Sequence, residues 1–454
     1  MQTTGLRLDQ APPLGVPATF FLTAPLAIVA ADFLLIAKGP GVLVTGYAPP
    51  TLLLAHLGTL GFLAMVMLGA FYQMAPVVAS APIPRIRVAH LVHLLLLVGL
   101  LLLALRLLGL IEIGLQYAFY CAWTALVIFL AQVAPAMLRA QAANETVLGM
   151  RLALIGLFLT ITLGAAMAHV FNGSVWLGPR GLWLQVHLGA GLLGWVGVLL
   201  VSISWQVIPM FYLAEPPGRS ARRWNLILIV IGVGAPLLVL LAERIGLLAD
   251  AGLSPGQLAG FAALPAVIAV WIVHPIQTGR SLLGRKRRRV DASMHFWIAG
   301  LSIAPLVALA AAAAHFLTEP PFSSSTSLAI GMRLQVMFVW LAVWGWAGLI
   351  VHGMLTRIVP FLVWFHRYSH RVGLEPTPSV QSLLRNRWSQ LNLLLHLASL
   401  LLGLIAIWTR NETATFLTGL LLAATGLSLA LALSYVMKPT RFISSPRNRV
   451  KSAT

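Results

Sequence analysis

Apolar runs of roughly twenty residues recur along the whole chain, separated by short polar or basic segments. A helix needs about 20 residues to cross the roughly 30 Å hydrocarbon core of a bilayer. The pattern predicts twelve such helices, at 17–38, 50–75, 87–109, 115–138, 147–171, 181–213, 223–247, 256–277, 293–316, 328–363, 388–408 and 413–436. The sixth and tenth are long and are expected to tilt or to extend beyond the bilayer.

Composition agrees. Hydrophobic residues make up 59% of the 454 positions and charged residues only 9%, against about 25% in a soluble domain. The fold class is therefore all-α, a polytopic membrane protein in a lipid bilayer. The net charge of +19 does not point to nucleic acid, because Lys and Arg sit between the apolar runs, where they direct topology. With the N-terminus inside, 24 of the 30 Lys and Arg fall on the cytoplasmic side and 6, namely Lys38, Arg106, Arg180, Arg244, Arg333 and Arg410, on the other. This predicts a bacterial-type inner membrane protein with both termini cytoplasmic. The basic run Arg285–Arg289 reads as a topology determinant that can touch anionic headgroups, or else as a partner's docking site. Residues Met1–Pro17 lack the ordered features of a signal peptide. A single cysteine, Cys121, excludes an internal disulfide and a thiolate metal cluster.

Three spans share a pattern. The second carries Gly61-Phe62-Leu63-Ala64 and then Gln73-Met74-Ala75-Pro76. The sixth carries Gly194-Trp195-Val196-Gly197 and then Gln206-Val207-Ile208-Pro209. The tenth carries Gly345-Trp346-Ala347-Gly348 and then Arg357-Ile358-Val359-Pro360. The spacing from glycine to proline is the same in all three. It predicts three pseudo-repeated four-helix units, over approximately 17–138, 147–277 and 293–436, within one integral membrane domain. The glycine permits close helix approach, and the proline is expected to stop or bend the helix.

Twelve histidines are many for so apolar a chain, and ionisable groups inside a membrane mark function. Sorted by depth, His56, His169, His187 and His315 form a tier near the periplasmic face. His90, His93, His274, His295 and His352 lie toward the cytoplasm, with His396 deeper, and His366 and His370 fall in a loop among arginines. His187, Gly191 and Gly194 share one helix face. An imidazole above such a stripe can seat a flat macrocycle and supply its axial ligand. The same glycines could instead form a packing groove, with His187 satisfied by a carbonyl. His352 sits seven residues after its repeat glycine and His56 five before. That offset of twelve residues is about 18 Å of helix, so the two cannot ligate one iron without a matching helix offset.

Twelve spans, three pseudo-repeats and the stretch His56-Leu-Gly-Thr-Leu-Gly-Phe, running on to Tyr72-Gln73-Met74-Ala75-Pro76, resemble subunit I of the haem-copper oxidases and the related nitric oxide reductases. The resemblance implies a subunit I-like fold and a membrane-integral haem b protein for electron transfer or for binding or reducing NO or O2. A cytochrome or quinol would be the electron donor. Haem ligation carries over to His56, and a copper-ligand position falls on His187. His169 and His315 are alternatives, and His352 is a further metal-ligand candidate. The family's two adjacent histidines are missing from span 223–247, and no His-x-His occurs. The copper site is thus incomplete, and an oxidoreductase activity would lack it. Two other classes compete: a metal-ion or small-molecule transporter, since internal repeats are common there, and a non-catalytic assembly subunit.

Overall fold

A computed structural model describes residues 8–140, 144–170, 179–287, 290–321 and 323–438. Arg7 and the rest of the N-terminal segment lie outside the described residues. So do Gly173 and Ser174, which read as loop, Arg288 and Arg289 of the basic run, and the tail with Arg441, Arg447, Arg449 and Lys451.

The described residues contain twelve helices long and apolar enough to cross a membrane. Spans 1 to 6 are Gly15–Leu43, Pro49–Ala79, Val88–Leu107, Leu115–Leu138, Glu145–Val170 and Arg180–Tyr212. Spans 7 to 12 are Arg219–Arg244, Pro255–Leu283, Ala292–Thr318, Ser325–Arg371, Asn386–Thr409 and Glu412–Met437. Spans 6 and 10 are the longest, at 33 and 47 residues. Span 10 outruns its predicted end, so His366 stands on a helix rather than in a loop. An even number of crossings puts both ends of the bundle on one side, called here the terminal face, with the far face opposite.

Packing follows three runs: spans 11-12-1-2, 3-4-5-6 and 7-8-9-10. The first run closes the bundle by laying span 12 along span 1, while neighbours 2–3 and 6–7 touch only sparsely. Each run ends in span 2, 6 or 10, and these three are the most buried of the twelve. A central helix cannot have a polar face, and their sequences are accordingly apolar all round.

The patterned glycines do mediate close approach. A Cβ at Gly61 would meet Ala27 Cβ at 2.5 Å, and span 5 lays Gly156 directly on the backbone of Gly194. Their neighbourhoods are also π-helical, over Leu57–Ala64, Gly189–Gly197 and Leu341–Gly348, each stretch ending three residues after the glycine. A fourth, Ala269–Val273, lies in span 8. Such widened turns are rare and collect at functional sites. The prolines act unequally. The helices of Pro76 and Pro209 end four residues on, in the left-handed caps Ser80 and Leu213, while the helix of Pro360 continues to Tyr368.

Two acid-centred clusters tie the bundle at the terminal face. Glu145, its side chain only 5% exposed, receives Arg219, Arg222 and Arg223 across spans 5 and 7. Asp291 receives Arg287 and, at 3.2 Å, Arg357 of span 10. Some arginines of the topology signal are therefore also structural cross-links, and Arg287 of the basic run is one of them.

Candidate functional site: a histidine-lined cavity in the far half

Between the far-face halves of the helices lies a cavity of about 730 Å³, within the size range of cofactor and small-molecule sites. Its walls are largely apolar, from Leu57 and Phe62 of span 2, Phe119 and Trp123 of span 4, Trp195 of span 6 and Trp344 of span 10. His56, His187 and His315 all line it.

His56 is held by its own helix. Its Nδ1 lies 2.8 Å from the Leu52 carbonyl oxygen one turn back. A carbonyl only accepts, so Nδ1 carries the hydrogen and Nε2 keeps a bare lone pair, the arrangement of a metal-binding imidazole. Phe119 packs its edge against the ring, 5.5 Å between centroids. His187 enters from span 6, within electrostatic reach of His56. Its buried Nδ1 makes no hydrogen bond of normal distance and angle, although the Thr160 carbonyl of span 5 acts on the ring. Gly164 of span 5 makes room for the ring: a Cβ there would stand 3.1 Å from His187 Cε1. Gly189 opens onto space, with nothing within 4 Å of where its Cβ would be. His315, half-buried at the end of span 9, lies flat on the Gly260 backbone of span 8, where any side chain would overlap it.

The other two candidates lie elsewhere. His169 is exposed on span 5 and does not line the cavity. His352 is fully buried toward the terminal face, bonded to His396 and Asn392. His352 and His56 are not brought together, as the twelve-residue offset requires. Among the described residues, no group of three or more His, Cys, Asp or Glu side chains is gathered closely enough to hold a metal ion.

The sequence reading missed the polar far-face end of the cavity. Tyr47, Arg180 and Glu319 line it there. Glu319 accepts from Ser254 Oγ at 2.6 Å, and a Cβ at Gly256 would overlap its carboxylate. Burial raises the Tyr47 phenol above its ordinary value, with Arg180 opposing the rise and Glu319 adding to it. Glu319 was discoverable, since it follows His315 by four residues, one turn on, where it caps the end of span 9. Arg180 was hidden among the topology signals.

No protein-family model matches the chain, and no curated protein matches it.

Proposed function

We propose that this is a membrane-integral haem protein of the haem-copper oxidase-like superfamily, with haem b in the far-half cavity and His56 and His187 as its ligands. The observation that carries the reading is the state of two imidazoles on one apolar cavity: His56 fixed by the Leu52 carbonyl with Nε2 bare, and His187 with a buried Nδ1 that no well-formed hydrogen bond satisfies, the Thr160 carbonyl being the backbone group that acts on it. A buried polar atom without a partner is costly and calls for an explanation, and a ligand bond provides one. A haem needs only one or two such nitrogens, which suits this donor set better than a copper ion does.

Haem held by His56 and His187 would supply one-electron redox chemistry. The chain's part is to orient and exclude. The Leu52 carbonyl fixes the His56 tautomer and strengthens its donor nitrogen. Trp195, Trp344 and Phe62 keep water from the site. Gly189 leaves the wall beside His187 open to a flat ring. The aligned π-helical stretches and shared spacing in spans 2, 6 and 10 support a threefold repeat and a subunit I-like architecture. The Lys and Arg asymmetry supports the terminal face as the cytoplasmic side of an inner membrane.

The test is an absorption spectrum of the detergent-purified protein, with haemin titration of any apo fraction. The expected result is a b-type Soret band that His56→Ala or His187→Ala removes or shifts and His169→Ala leaves unchanged. A wild-type protein that stays colourless with excess haemin overturns the reading. A colourless protein that moves a metal ion or small molecule across proteoliposomes would establish the transporter in its place.

A further inference from the structure

A second imidazole cluster lies in the half of the bundle nearer the terminal face, and the cavity does not use it. His352 of span 10 and His396 of span 11 are both fully buried, and their Nδ1 atoms stand 3.0 Å apart. Their other nitrogens are held by partners of fixed polarity. His396 Nε2 is 2.9 Å from the Trp344 carbonyl oxygen, which can only accept. His352 Nε2 is 3.1 Å from Asn392 Oδ1. The orientation of that amide is set at its other end, where Nδ2 donates to the Trp388 carbonyl at 2.9 Å and to Ser428 Oγ at 3.0 Å. Turning the amide over would press Oδ1 against the Trp388 carbonyl.

Each Nε2 therefore carries a hydrogen. A neutral imidazole has only one, so two neutral rings would confront each other with bare Nδ1 lone pairs. A separation of 3.0 Å is a hydrogen-bond distance. It is also shorter than the roughly 3.3 Å that two nitrogens keep around a tetrahedral metal at about 2.0 Å from each. One additional proton between the two nitrogens satisfies every polar atom in the cluster.

We infer that His352 and His396 form an intramembrane proton-binding site, an imidazole–imidazolium pair that holds one excess proton between its Nδ1 atoms. The surroundings offset part of the cost of burying one positive charge without a counter-ion. The Trp344 indole stacks on His396 at 3.8 Å and 9°, and Phe296 lies 4.8 Å from the His352 ring; aromatic faces attract cations, most strongly where water is absent. From spans 9 and 11 the pair meets Phe296 and Asn392, and among the described residues the only titratable side chains acting within the cluster are the two rings themselves. No carboxylate neutralises the charge. Losing the proton leaves two lone pairs in contact, so release requires the rings to part or the Asn392 amide to turn. Trp344, which both stacks on His396 and lines the cavity, carries that movement to the cavity wall. The inference rests on this hydrogen-bond pattern and not on the haem reading.

The experiment is 15N NMR of the full chain in lipid nanodiscs with ring-labelled histidine. His352–His396 is the only histidine–histidine hydrogen bond among the described residues, so a nitrogen–nitrogen coupling across a hydrogen bond identifies it. The expected result at neutral pH is one coupled pair carrying three N–H protons on two rings, lost in both His352→Gln and His396→Gln. Asn392→Asp, which places an anion beside Nε2, should retain the coupled pair to higher pH, and this variant serves if a Gln variant does not fold. A wild-type protein with no coupled pair, or with a pair carrying only two protons, overturns the inference.

Discussion

In the far half of the bundle, His56, His187 and His315 stand on the edge of open space. In the half nearer the terminal face, His93, His274, His352 and His396 are buried against partners: Thr23 at 2.9 Å, Ser204 at 3.0 Å and, for the last two, each other. The side chain is the same and the circumstances are opposite. An imidazole with a bare nitrogen on a cavity is ready to bind something. His352 and His396, bonded through both nitrogens, are ready only to hold a proton or to fix a helix, while His274 in the same half keeps one buried nitrogen without a partner but does not line the cavity. Depth and packing, rather than residue type, separate the two roles, and substitutions can test that separation.

The largest contrast is expected at glycines. A Cβ at Gly353, in the packed half, would stand 2.3 Å from Phe296 Cβ, which is anchored to its own backbone and cannot swing away. Gly353→Ala should destabilise by about 1–3 kcal/mol, the range of core overpacking. Gly189→Ala, in the open half, meets nothing within 4 Å and should be neutral or stabilise by up to about 1 kcal/mol through helix propensity. Unfolding of the two variants in mixed micelles measures the difference. Equal costs at both sites would break the comparison.

Removing imidazoles sharpens it. His352→Leu strands His396 Nδ1 and Asn392 Oδ1 together, so a cost of about 1–2 kcal/mol is expected, the upper range for membrane side-chain hydrogen bonds. His56→Leu gives up a bond to a carbonyl of its own helix and an edge contact with Phe119 that leucine can replace with apolar packing. In protein free of any ligand it should change stability by less than about 0.5 kcal/mol, as a lone weak bond within a helix would. If ligand-free His56→Leu proved the more damaging of the two, the imidazoles of the far half would be structural after all.

Much of this arrangement was legible in the residues, because local chemistry fixes it. Twelve spans follow from the lengths of apolar runs. The far-half placement of His56 and His187 follows from counting residues from a span end. The shared glycine spacing marked the three central helices, and the same spacing now coincides with π-helical turns that no periodicity announced. Other features depend on packing between distant segments. His352 and His396 are 44 residues apart, and their depths alone could not reveal that their rings touch. Nor could the proline pattern show that span 10 continues past Pro360 while spans 2 and 6 end, since tertiary contacts decide whether a freed backbone group finds another partner.

The smallest effect belongs to the cavity's polar end. Tyr47 lies outside the spans, and its phenol is raised first by burial and then by Glu319, with Arg180 pulling it down. The phenolate is thus disfavoured in the folded protein. Stability from this group is complete below the ordinary tyrosine pKa of about 10 and falls as pH climbs from there through the raised value. A near-ultraviolet titration, taken as the difference between wild type and Tyr47→Phe, should place the midpoint above the ordinary value. Glu319→Gln should lower that midpoint and Arg180→Met should raise it, since each removes one of the opposing charges. Because Tyr47 is 46% exposed, solvent screens these charges and the shifts should be modest. A midpoint at or below the ordinary value, or one that ignores both substitutions, would mean that Tyr47, Arg180 and Glu319 do not act together at the cavity's entrance.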